Sequence, residues 1–359
     1  MTSHSHILPT IDTSQGIEIG LYTLGDHLAN PHTGERISTQ QRISEIIEMG
    51  ILAEEAGLDL FQIGESHQEY FVSQAHLIIL SAIAQATKRI KLTSGATIIS
   101  TADPVRVFED AATIDHISKG RMELVAGRAS RVGLYDLLGY DLKDYEALFE
   151  EKFDLLLQIN ENKQVSWQGE FRAPLNDAHV LPRSDRQSGG LPIWRAVGGS
   201  LGSAQKAGLA GVPMYQAHLG GPVSVFKRPI DLYREAAAQA GWEVDQLPVA
   251  TAGFLYLHED TKEAYRQYYP HINEGMKRTN GQGFPKRGFA QGMDVRSIIN
   301  VGDPELIIDK LLYQHEAFGM QRYVGQIDFG GVPMDAIKRT IDLLGEKVVP
   351  VVKKYTAKK

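Results

Sequence analysis

The sequence predicts a (β/α)8 barrel, and two observations carry the prediction. Strand-like and helix-like segments alternate about eight times after Gly16, the rhythm of a parallel sheet with helices outside it. No stretch of the 359 residues reads as an interdomain linker, so a single domain over 1–359 is expected. An open doubly wound sheet is the competing arrangement; eight units without a second-domain signal favour the closed barrel.

The elements follow in order. Residues 1–15 are polar and are expected to form a flexible tail, His4 and His6 included, rather than a metal site. Ile17 to Leu24 is the first strand, and the polar segment from Asp26 to Ile37 loops over its end. Ser38 to Ala56 is an amphipathic helix with Gly57 as its stop signal. Leu58 to Gly64 is the second strand, followed by Glu65-Ser66-His67 and a helix from Ser73 to Lys88. Ile90 to Ile99 is the third strand; Gly95 inside it marks a bulge or a place where a ligand comes close.

The stretch from Asp103 to Ser130 organises the chain. Asp103 caps a helix whose first position suits Pro104, and Gly120 is expected to stop it in the left-handed region. Met122 to Ala126 is the fourth strand, and Gly127-Arg128-Ala129-Ser130 follow its carboxyl end, where ligands bind in α/β proteins. Arg128 is a cation among small residues that let an anion approach, or else the partner of a rim carboxylate.

A helix from Asp144 to Asn160 comes next. Gln164 to Ala173 is expected as a small hairpin turning at Gln168-Gly169, with 174–190 as loop. Leu191 to Val197 is the fifth strand. Gly198, Gly199, Ser200 and Ser203 lead into its helix, where backbone N–H groups and hydroxyls make an anion site or an ordinary N-cap. Val212 to His218, Val249 to His258 and Arg322 to Ile327 are the remaining strands, with helices at 222–240, 261–277, 304–318 and 333–348. The Gly-rich 279–300 segment, with Lys286 and Arg287, is expected as a lid insertion. Gly220-Gly221 and Gly330-Gly331 are rival phosphate loops, since barrels often hold phosphate after the last strands.

Composition narrows the function. The net charge of −7 favours neither nucleic acid nor an anionic membrane as partner. With no cysteine, disulfides, thiolate metal sites and cysteine nucleophiles are excluded, and no metal centre is expected. There is no run of about 18 apolar residues and no basic start followed by an apolar core. A cytoplasmic protein is expected.

The Asp103–Ser130 stretch resembles the bacterial luciferase-like, flavin-dependent monooxygenases, with its DPVR helix start, its GR turn and its strand ending in an arginine loop. IEIGLYT, LFQIGESH, IKLTSGATIIS, LPIWRAVGGS and YVGQIDFGGVPMDAIKRTIDLLGEKVVP extend the resemblance over nearly the whole chain. It implies a barrel, usually a homodimer, that uses reduced FMN and O2 to oxidise a small or medium apolar organic substrate. A separate flavin reductase would supply the reduced FMN. It leaves as alternatives an F420-dependent hydride-transfer enzyme and a non-catalytic flavin-binding subunit.

It also implies roles for residues. Arg128, with Ala129 and Ser130 beside it, would meet the flavin phosphate together with Gly198, Gly199, Ser200 and Ser203. Ser94, Gly95, Ala96 and Thr97 would back the flavin ring at a third-strand bulge, where the family carries a non-proline cis peptide; a small-residue layer inside the barrel is the other reading. Many relatives have Glu-His-His where this chain has Glu65-Ser66-His67, so Ser66 replaces a histidine that is often catalytic. His67 then remains as proton shuttle or as a structural histidine, with Ser66 able to orient but not to act as a base. His218 and Tyr22 are further candidates for the pocket.

Overall fold

Eight parallel strands close on themselves in the computed structural model, which describes residues 6–129 and 133–358. They are β1 (Glu18–Thr23), β2 (Leu60–Ile63), β3 (Lys91–Ile98), β4 (Met122–Gly127), β5 (Ile193–Val197), β6 (Met214–Ala217), β7 (Val249–Leu257) and β8 (Arg322–Gln326). Each pairs with the next in chain order, and β8 pairs with both β7 and β1, so no barrel edge is left open. The closed barrel expected from the rhythm of the sequence is therefore the fold observed.

Local chemistry sets most boundaries. Ser38 Oγ accepts the Gln41 N–H at the start of helix Thr39–Glu55, and Asp103 accepts the Val105 N–H ahead of Pro104–Ser118. Asp260 and Asp303 cap Thr261–Asn280 and Pro304–Phe318 in the same way. The stop after Ser118 takes two residues: Lys119 adopts the left-handed conformation, φ +59°, and Gly120 follows at φ +86°, as expected of it.

Three segments depart from the sequence reading. The hairpin's second strand is Leu175–Ala178, inside the stretch read as loop, pairing antiparallel with Val165–Trp167. Its burial is too slight to leave an apolar pattern. Asn300–Gly302 forms a short extra strand on β7, and Lys286 opens a short helix, Lys286–Ala290, within the Gly-rich insertion. In the opening segment, His6 bonds Glu161 and the Ala210 carbonyl and stacks on Trp242, while Ile11 packs against the barrel interior.

The core has three parts. The largest lies between strands and helices, and a small one gathers Ile98, Ala129, Leu134, Tyr135 and Leu148 beside the end of β4. The third fills the barrel with Tyr22, Leu60, Val125, Trp194, Tyr215, Ala250, Ala252 and Val324. Below it sits an ion network. Arg322, fully buried, donates to Glu123 Oε2 at 2.6 Å and to Glu18 Oε2 at 2.8 Å, and Trp194 Nε1 donates to Glu123 at 2.9 Å. Burial raises the cost of the Glu123 charge, yet Arg322 more than offsets it and holds the carboxyl at about 2. The amino-terminal end of the barrel is thus sealed by a paired, hydrogen-bonded cluster, and the opposite end is left for a site.

Candidate active site at the carboxyl ends of β3 to β5

At the carboxyl end of β3 the register against β4 shifts between Gly95 and Thr97, and the Gly95–Ala96 peptide is cis. Gly95 is obligatory there. A Cβ on it would lie 1.7 Å from Gln62 Nε2, a nitrogen that also donates to Tyr215 Oη at 2.6 Å. Ala96 is partly exposed, as is Ala196 on β5, and a Cβ added at Gly127 would come within 2.8 Å of one and 3.1 Å of the other. With the exposed Ala217 on β6, these residues make a floor of small side chains on this half of the mouth. Ser94 faces elsewhere: its hydroxyl accepts the Val125 N–H at 3.2 Å. Thr97 is buried, and its Oγ1 lies 2.8 Å from His76 Nε2.

Glu65-Ser66-His67 follow β2 and fold against the same bulge. Glu65 N–H donates to the Ala96 carbonyl, and Glu65 Oε2 accepts the Ile98 N–H at 2.7 Å. Its other oxygen lies 2.7 Å from His67 Nε2. A carboxylate only accepts, so this contact puts an imidazole proton on Nε2, and in the neutral ring Nδ1 is then the lone-pair nitrogen. Ser66 is buried and donates to Gln68 Oε1 at 3.1 Å, so its hydroxyl is engaged within its own loop.

Arg128 leaves the end of β4 half-buried. Its guanidinium lies 5.3 Å from the ring centres of Tyr145 and Phe149 and 3.4 Å from Glu146 Oε1. Phe149 is shared with Arg195 of β5, whose guanidinium lies 4.8 Å from the ring centre. Ala129 is buried among Ile98, Leu134 and Leu148 and contributes packing; Ser130 lies outside the described residues.

After β5 the chain is open. Gly198, Gly199 and Ser200 are exposed, and a Cβ at either glycine would meet nothing within 4 Å. Ser200 caps helix Leu201–Ala210, its Oγ accepting the Ser203 N–H at 3.4 Å. Ser203 Oγ is buried and has no hydrogen-bond partner. A buried hydroxyl without a partner is costly, and at a helix start it is suited to an anion.

The rival Gly330-Gly331 loop is not open in this way. A Cβ at Gly330 would strike the His271 carbonyl at 1.9 Å, and Gly330 N–H already donates to Asp26 Oδ2. Gly221 is tied by its carbonyl to the Ile298 N–H. His218 does not face the mouth. Strand alternation turns Tyr215 and Ala217 inward and His218 outward, where its ring packs against Phe226 and Phe318. Tyr22 does face the interior, donating to Gln326 Oε1 at 2.8 Å. A cavity of about 170 Å³ lies apart from this rim, lined by residues such as His27, Arg42 and Met334.

Two residues of this region escape sequence reading. His76 opens its helix as an apparent core position, and only the fold brings it to Thr97. Arg195 looks like one more residue of a strand, yet it is buried and bound at both Nη atoms by Glu150.

A barrel with a small-residue floor, an arginine and an open helix start at the carboxyl ends of β3 to β5 presents them on the face where barrel enzymes carry their active sites. The chain belongs to the luciferase-like monooxygenase family, which it matches over residues 17–321. Among curated relatives, the alkanal monooxygenase alpha chain of Photorhabdus luminescens is 25% identical over 338 residues, covering 86% of this chain and 91% of the relative. The limonene 1,2-monooxygenase of Rhodococcus erythropolis is 26% identical over 319 residues, covering 84% and 79%. Solved structures share the fold. Monooxygenase RslO1 of Streptomyces bottropensis superposes with a TM-score of 0.78 at 23% identity, covering 93% of this chain and 99% of that one. The oxygenating constituent of 3,6-diketocamphane monooxygenase of Pseudomonas putida, in complex with FMN, gives 0.75 at 18%, covering 93% and 98%. An F420-dependent secondary alcohol dehydrogenase gives 0.72 at 18%, covering 94% and 99%. Among the described residues no helix is long and apolar enough to cross a membrane.

Proposed function

We propose that this chain is a monooxygenase that uses reduced FMN and O2 to oxidise a small or medium apolar organic substrate, with the flavin seated on the β3–β5 rim. One observation carries the proposal: the unpartnered, buried Ser203 hydroxyl in the first turn of the helix that follows β5, the strand paired with β4, which Arg128 follows. Those residues fit a phosphate. The guanidinium offers a fork of donors, the helix start offers N–H groups, and the empty space at Gly198 and Gly199 admits the anion. Ala96, Gly127 and Ala196 leave room for a planar ring against the bulge, and any larger side chain at 127 would fill it.

When bound, reduced FMN supplies the electrons and the site of oxygen activation. The chain's own residues orient and shield it. Glu65 holds His67 in one tautomer, so that His67 Nδ1 presents a lone pair for a proton in transit. Ser66, tied to Gln68, is assigned a positioning role in that loop. The family relationship supports a homodimer supplied with reduced FMN by a separate reductase; light scattering of the purified protein tests the first part.

The test is a titration of the purified protein with FMN and with F420, followed by O2 uptake with the reduced cofactor. FMN binding that weakens at least tenfold in Arg128→Ala, with riboflavin unaffected, is expected. Binding of F420 with substrate turnover independent of O2 would replace the proposal with hydride transfer, the chemistry of one fold neighbour. FMN affinity unchanged by Arg128→Ala would reject the phosphate assignment.

A further inference from the structure

Arg128 already has an anion beside it. Glu146 Oε1 stands 3.4 Å from Arg128 Nη1. Glu146 lies in the first turn of helix Tyr145–Glu161, and one turn later Glu150 faces the same rim. The two carboxylates are held very differently. Glu150 is gripped by Arg195 at 2.7 and 2.9 Å and by Lys206 at 2.9 Å. Glu146 makes one long contact, and its side chain is 73% exposed where that of Arg128 is 15% exposed. Glu150 is therefore built in, whereas Glu146 is free to swing into solvent.

Among the described residues, the rim carries three cations, Arg128, Arg195 and Lys206, against two carboxylates. A phosphate monoester brings about 1.5 to 2 negative charges. It meets a rim of net +1 while Glu146 stays, and a freer guanidinium once Glu146 leaves.

We propose that Glu146 is a resident counter-anion that the cofactor phosphate displaces from Arg128, and that it sets how far this chain prefers a phosphorylated flavin over an unphosphorylated one. The inference rests on the flavin-phosphate reading above. Glu146 keeps the Arg128 fork oriented across the aromatic rings of Tyr145 and Phe149 when no phosphate is present. Each binding event must break that pair and place a second anion near the same cation. An exposed carboxylate acts through solvent, so the effect is modest and weakens with salt.

The experiment measures oxidised FMN and riboflavin affinities by fluorescence quenching, at low and high ionic strength. It uses the intact protein, Glu146→Gln, Arg128→Ala and the double variant. Glu146→Gln is expected to tighten FMN about two- to fivefold at low salt, the range of an exposed ion pair, and to leave riboflavin unchanged. The gain should shrink at high salt and vanish in the Arg128→Ala background. FMN affinity that is unchanged or weaker in Glu146→Gln, while Arg128→Ala still loses FMN selectively, overturns this inference and leaves the phosphate reading standing. Equal shifts for FMN and riboflavin overturn it too, because they report a structural change. If neither substitution alters FMN affinity, both readings fall.

Discussion

His67 Nε2 lies 2.7 Å from Glu65 Oε1, and the other oxygen of Glu65 accepts the Ile98 N–H from β3. The imidazole is thereby tied to the strand that carries the cis Gly95–Ala96 peptide. Its orientation is set by the barrel rather than by its loop.

His67→Ala is expected to lower kcat about 10²-fold or more with the reduced flavin still bound, the range typical of a lost general acid or base. His67→Gln, which retains a hydrogen-bonding group, should be equally slow. Stopped-flow turnover separates this from binding. Full activity in both variants would assign His67 a structural role.

Gly95→Ala is expected to destabilise the protein by about 1–3 kcal/mol through overpacking against Gln62, whose amide would have to abandon Tyr215. The same substitution should weaken FMN binding, because the bulge must move. Urea denaturation and flavin titration report the two effects, and Gly95→Ala with wild-type stability would remove Gln62 from the account.

The ion network under the barrel predicts a larger loss. Glu123→Gln leaves Arg322 buried with only Glu18 as a charged partner, and breaking such a pair from one side costs about 3–5 kcal/mol. Trp194 fluorescence should change with it, since the indole N–H bonds that carboxylate. Removing both charges, with Glu123→Gln in an Arg322→Met background, should recover part of the loss.

Acid should unfold the protein through its buried histidines as well. Burial lowers His76 and His271 to about 4 and His218 to about 3. Unfolded, each titrates near 6.5 and takes up a proton first, so stability rises with pH between these values and falls as pH drops below about 6.5. Glu123 acts in the same direction lower down: its stabilisation is present above the unfolded carboxylate range and is lost as pH falls toward 2. Each histidine should cost roughly 2 kcal/mol between pH 7 and pH 5. His76→Asn should flatten that slope in urea melts, and an unchanged slope would contradict the buried neutral imidazole.

Much of the fold was legible because its signals are local. Ser38, Asp103, Asp260 and Asp303 each announce a helix start by a side chain that reaches its own backbone two or three residues on. The strand at Leu175–Ala178 was not legible, since a short exposed ribbon carries no apolar pattern. His218 was misplaced by the pocket expectation because a one-residue step along a strand reverses the face, and the end of β6 gives no outward sign of its parity.

The sequence by itself determined the barrel, the order of its strands and the candidate arginine and glycine loop, because repeated strand–helix units and caps are encoded in neighbouring residues. Only the tertiary structure decided that Gly198-Gly199 is open while Gly330-Gly331 is filled, and that Glu146 stands on Arg128. It also decided that His76 backs Thr97, and that Arg322 links Glu18 to Glu123. Those facts depend on distances between residues up to 304 positions apart, and such distances exist only once the sheet has closed.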